Sequence, residues 1–285
     1  MQKQISIGIF VLFLVLLTFL PRMLSLSAHW SSDESTWMLR SRTFIIALEQ
    51  GRFADTLTAY HPGVTTTWLG GLAIRKAAGQ RSISELFTQT DRFLTTLMLA
   101  RLRFPIAVLS GALILIIGLL LYRLFGASLA AVGTLFLAIE PFLLAESRRV
   151  HTDALTSEFL FLTLLLWLCY LESEPQRRRD LVLSGICFGL ACLTKSHAGA
   201  FLLFLPFLFF WYVKQRRLSG AKMLMSTIFF CAVALLTTLI VWPYLWTVTF
   251  GNRLICPLLF IGCFGLLFWS GRKLAKDYSE FSPVE

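Results

Sequence analysis

The chain has 285 residues, is 56% hydrophobic and only 15% charged, and holds 26 Phe and 8 Trp. That composition excludes a single soluble core and describes an all-α polytopic membrane protein. A formal net charge of +10 raises nucleic-acid binding, but the cations sit in short breaks between apolar runs rather than on one solvated face, so no nucleic-acid partner is expected. The six cysteines lie in or beside apolar segments without CxxC spacing, which indicates neither a disulfide frame nor a cysteine metal site.

A spanning helix needs about 20 mostly apolar residues, because each adds roughly 1.5 Å across a hydrocarbon core of about 30 Å. On that rule the chain offers about eight spans, near 5–27, 104–122, 127–145, 154–171, 181–194, 198–213, 223–242 and 253–270. The first has a basic tip like a secretory signal peptide, but its apolar run exceeds the usual length, and it reads as an uncleaved transmembrane helix. The fifth and sixth are short and nearly joined, as in a tight helical hairpin or a partly re-entrant segment. Cations concentrate in "MQKQ", at Arg123, in "EPQRRRD", in "KQRRLSGAK" and in "GRKLAKD". By the positive-inside rule these face the cytoplasm, leaving residues 28–103 as a long external loop and 271–285 as a cytoplasmic tail of one domain, 1–285.

Within the long loop, "STWMLRSRTFIIALEQG" reads as a helix closed by Gly51, and "SISELFTQTDRFLTTLMLARLRF" as another opening at Ser82 or Ser84. Both are amphipathic and are expected at the membrane surface. "AYHPGVTTTW" carries a turn signal at Pro62–Gly63 followed by three threonines, and taken alone reads as a loop with a capped helix start.

In this topology His29, His61, His151 and His197 all fall on the non-cytoplasmic side, together with Asp33, Glu34, Glu146, Arg148, Arg149, Asp153 and Lys195. Cations in short external loops run against the positive-inside rule. Anchoring to membrane lipid headgroups is one reason for them, and a pocket for an anionic, phosphate-bearing substrate is the other. Thr152 or Asp153 is placed to cap the fourth span, whose N-terminus offers N–H groups to an anion. Glu140 before Pro141 and Glu158 inside the fourth span each need a partner or an aqueous cavity. Asp33, Ser31 or Ser32 could cap the helix of residues 36–50. Asp33 and Glu34 as adjacent carboxylates would also repel, giving one group suited to taking a proton. A divalent metal ion on His61 or His29 with Asp33 or Glu34 is chemically compatible, although no HxxxH or HExxH spacing marks such a site.

Four stretches in order, "DE" at Asp33–Glu34, "HPG" at His61–Gly63, "SRRVHTDAL" around Arg148 and Asp153, and "LTKSHAG" around Lys195, resemble the GT-C glycosyltransferases. The likeness is to the protein-mannosyltransferase and aminoarabinose-transferase-like branch, over residues 5–245. The resemblance implies inverting transfer of a sugar from a polyprenyl-phosphate donor to a hydroxyl or amine on the non-cytoplasmic face of a cell membrane, and the short loops without a retention signal favour a bacterial inner membrane. Asp33 would be the base, with Glu34 supporting the acceptor or a neighbouring cation. Arg148, Arg149, His151 and Lys195 would hold the lipid phosphate, with His61, His197 and Asp153 near the acceptor or loops. Members of that branch usually carry further C-terminal spans, so the chain is expected to be short by comparison. The same cations would also serve a transporter or flippase of a lipid-linked anion, or persist in a non-catalytic homologue.

Overall fold

The computed structural model describes residues 2–59, 62–88, 92–215 and 219–251, and among them every regular element is helical. Four helical stretches are long and apolar enough to cross a membrane: Thr96–Phe125, Asp153–Glu172, Ser196–Lys214 and Gly220–Val241. Val11–Met23 and Ala127–Ile139 are apolar but shorter. The count of eight spans is therefore not reproduced, and the eighth candidate lies outside the described residues.

Helix α1 (Gln2–Met23) packs on the long α5 (Arg92–Phe125) and on α6 (Ala127–Ile139). Arg22, fully buried near the end of α1, donates from Nη1 to the Ala138 carbonyl at 3.0 Å and from Nη2 to the Leu137 carbonyl at 3.2 Å. Those are last-turn carbonyls of α6 that lack partners of their own, and a cation there also complements the helix dipole. The expected third span, 127–145, breaks in two. Glu140, extended ahead of Pro141, accepts from the Phe142 and Leu143 amides and starts α7 (Pro141–Glu146). The acid expected to need a partner or an aqueous cavity is thus satisfied as a helix cap.

The division expected near residue 104 is absent, because α5 runs unbroken through Pro105. Its 34 residues span about 50 Å, more than a hydrocarbon core requires, so one end extends beyond the apolar layer. That end packs on α3 (Val64–Ala78), which in turn packs on α2 (Glu34–Glu49), and it reaches the start of α2 through Arg103. Contacts between Trp37 and Gly63, Ser41 and Gly70, and Ile45 and Gly71 progress in the same direction on both helices. The connection must therefore return to the start of α2, through a 3₁₀ turn at Phe53–Thr56. Gly51, with φ +66°, ends α2 as its sequence implies. Ser82 and Glu85 exchange backbone and side-chain bonds in a capping box at the short α4 (Ile83–Thr88).

The rest of the bundle is α8 (Asp153–Glu172), α9 (Arg178–Thr194), a 3₁₀ segment (Ser196–Leu203), α10 (Leu205–Lys214), α11 (Gly220–Val241) and α12 (Pro243–Gly251). The fifth and sixth candidate spans are thus joined through the 3₁₀ segment. The Val233 side chain and the Ala234 carbonyl of α11 lie where Cβ atoms on Gly185 and Gly189 of α9 would fall. Small residues permit such approach where the surrounding lipid gives helices no hydrophobic drive to associate. At the far end of the bundle Arg123 pairs with buried Asp180 at 2.5 Å.

Candidate functional site at the open end of the bundle

The loop after α1, the start of α2, the turn between α7 and α8, and the end of α9 meet at one end of the bundle, because a single carboxylate ties three of these segments together. Glu34, fully buried, accepts from the Ser31 amide at 2.9 Å and the Val150 amide at 2.9 Å. It also takes both Nε and Nη2 of Arg103, at 2.7 and 2.6 Å. Arg103 completes its donor set on the carbonyls of Leu26, Ala28 and His29. Burial pushes the Glu34 carboxyl up, but the Arg103 guanidinium and the two amides outweigh it and hold the group below the usual carboxylate range. The charge is consequently compensated inside the fold, and Glu34 is not half of a proton-sharing pair with Asp33. Of its two implied positions, it occupies the one against a cation.

With Glu34 bonded to the Ser31 amide, Asp33 sits at the N-cap position in αR conformation and makes no side-chain cap bond. Its side chain is 67% exposed and borders a cavity of about 210 Å³ lined by Asp33, Thr36, Trp37, Arg40, His151, Thr152 and Lys195. His151 Nε2 lies 3.7 Å from Asp33 Oδ2. Lys195 Nζ bonds Asp153 Oδ1 at 2.5 Å, and Asp153 begins α8 with Thr152 before it. The neighbouring Thr152 hydroxyl makes no cap bond.

The structure gathers Asp33, His151 and Lys195 around one cavity. It does not bring in Arg148, whose Nη2 donates to the Leu24 carbonyl, or Arg149, whose Nη1 pairs with Glu146 at 2.9 Å. His197 is exposed in the 3₁₀ segment and does not line the cavity. His29 is exposed, with its carbonyl on Arg103. His61 lies outside the described residues. The cluster of metal-ligating type that assembles among the described residues is Glu146, His151 and Asp153, a different set from the one the sequence offered.

Arg40 is a cavity residue that sequence reasoning missed, although positions 33, 36, 37 and 40 share one helix face by their spacing. It stacks 4.8 Å over the Trp37 ring. The threonine run is also more than a loop. Thr65 hydrogen-bonds Thr194 at 2.7 Å, next to Lys195, and Thr66 donates to the His151 carbonyl at 3.4 Å. Gly63 explains why "HPG" ends in glycine: its φ of +56° is left-handed, and a Cβ there would lie 2.2 Å from the Trp37 ring. Gly63→Ala is expected to lower stability by about 1–3 kcal/mol. It should also displace Trp37 toward the cavity, read as a reduced thermal midpoint with a shifted tryptophan emission.

A helical membrane chain with a carboxylate and cations converging at one bundle end defines the class, a polytopic membrane protein with a polar pocket. A family model described as dolichyl-phosphate-mannose-protein mannosyltransferase matches residues 93–246, just over half the chain, and the chain belongs to that family of GT-C-type membrane glycosyltransferases. No curated protein and no solved structure matches it. The matched region includes Arg103, His151 and Lys195, whereas Asp33 and Arg40 precede it.

Proposed function

We propose that the chain transfers a sugar from a polyprenyl-phosphate donor to a hydroxyl or amine acceptor at this cavity, with inversion. The observation that carries the reading is the convergence of Asp33, Arg40, His151 and Lys195 on one cavity beside the start of α8. Asp33 accepts the acceptor's proton, the acceptor oxygen or nitrogen bonds to the anomeric carbon, and the carbon–oxygen bond to phosphate breaks with its electron pair going to the phosphate. Lys195, Arg40 and the N-terminal amides of α8 face the charge that develops on that leaving group. A groove of about 640 Å³, lined mostly by apolar residues such as Leu69, Leu72 and Phe104 with Lys76 and Arg101, suits the lipid tail. The active face is read as the non-cytoplasmic one, because the opposite bundle end carries Arg123 and Arg177 to Arg179.

The test is binding of a mannosyl polyprenyl monophosphate to the full chain in lipid nanodiscs, followed by transfer to candidate acceptors. Lys195→Met is expected to weaken donor binding by at least about tenfold, roughly 1.4 kcal/mol. Unchanged affinity in that variant would reject the cavity as the phosphate site.

A further inference from the structure

We propose that Glu146, His151 and Asp153 form a binding site for one divalent transition-metal ion of the zinc class. His151 Nδ1 lies 3.5 Å from Glu146 Oε2 and 3.4 Å from Asp153 Oδ2, and the three ligand atoms all fall within 4.8 Å of one another. Ligands held tetrahedrally at about 2.1 Å from an ion stand about 3.4 Å apart, so the two histidine-to-carboxylate spacings are those of a tetrahedron's edges. The nitrogen itself gives a further sign. Nδ1 is buried and makes no hydrogen bond although two carboxylate oxygens flank it.

Each ligand is supported from behind in the way metal sites require. Glu146 gives its other oxygen to Arg149 at 2.9 Å, and Asp153 gives its other oxygen to Lys195 at 2.5 Å. The two ion pairs therefore leave free the oxygens that face Nδ1. On the far side of the ring, Nε2 lies 3.7 Å from Asp33 Oδ2, so a carboxylate stands behind the ring as is usual at a ligating imidazole. The Thr66 bond to the His151 carbonyl holds the residue's backbone in place. One imidazole nitrogen with two carboxylates favours a borderline ion over calcium or magnesium, which prefer all-oxygen shells. Three protein ligands leave a fourth position, and His151 and Asp153's partner Lys195 both border the cavity, so that position suits an anionic oxygen from there. In sequence the set is E-x4-H-x-D, bridging the last residue of α7 and the first of α8.

The proposal does not depend on sugar transfer, and its test uses no donor. Full-length protein, freed of any histidine tag and stripped with chelator, is titrated with Zn²⁺ by calorimetry and with Co²⁺ by visible absorption. About one equivalent should bind, with the intense visible bands of four-coordinate Co²⁺. His151→Ala and, separately, Glu146→Gln should each weaken binding at least tenfold while keeping wild-type helicity and elution volume. Absence of stoichiometric binding by the folded wild-type chain would overturn the site, as would wild-type affinity in either folded variant. If one variant fails to fold, the other decides.

Discussion

Arg103→Met is expected to lower the stability of the folded chain by about 3–5 kcal/mol, the cost of leaving one member of a buried ion pair uncompensated. The size follows from what the guanidinium does. It holds both oxygens of Glu34 and three backbone carbonyls, of Leu26, Ala28 and His29, all on the segment between α1 and α2. Its removal strips those partners at once and leaves a carboxylate inside the protein with only the Ser31 and Val150 amides. The thermal midpoint in detergent should fall well below wild type. Glu34→Gln in the same background should restore part of the loss, since the stranded charge is then gone, and the double-mutant cycle measures the coupling. A midpoint unchanged by Arg103→Met would show that the pair does not hold this end of the bundle together.

Acid titrates the same interaction. Glu34 has a folded-state value held below its ordinary 4.5, so it binds a proton less readily folded than unfolded. Its contribution is present in full above that ordinary value and is lost as pH falls through the depressed folded value. Acid unfolding of the wild type should therefore steepen below about pH 4.5, and Glu34→Gln should flatten that limb.

What the sequence made legible is what depends on neighbours along the chain. Apolar run lengths marked where helices lie though not all their ends, Gly51 the end of α2, and Ser82, one of two serines read as an opening, the start of α4. The break at Glu140 was visible in principle, because an acid directly before proline is a helix-start signal; it was obscured by the apolar residues on both sides, which read as one span. Partners distant in sequence were hidden. Nothing in "HWSSDESTW" announces that Glu34 belongs to Arg103 rather than to Asp33, since the two are joined only when α5 extends past the apolar layer to meet the loop. Arg148 and Arg149 attracted attention as an adjacent pair of cations, yet adjacent residues in a turn diverge. One goes to the end of α1 and the other to Glu146. Arg40, one of two arginines in a helix of mixed polarity, drew none, although its register with Asp33 and Trp37 put it at the cavity.

Asp33→Asn is expected to reduce the rate of transfer by about 10²–10⁴-fold, the usual range for removing a positioned general base, while leaving donor affinity within about threefold. The side chain is well placed for such a separation of effects. It is largely exposed, makes no cap bond to α2 and borders the cavity, so the amide should be accommodated without loss of packing. Glu34 provides the internal contrast. Glu34→Gln should act through stability, with its midpoint lowered and activity falling as the fold loosens, whereas Asp33→Asn should keep the wild-type midpoint and lose turnover alone. The adjacent acids of the DE pair would then separate by readout as they separate by geometry, one holding the end of the bundle closed and the other meeting the acceptor. Wild-type turnover in Asp33→Asn would remove Asp33 from the chemistry, and a loss of donor affinity matching the loss of rate would make it a binding residue instead.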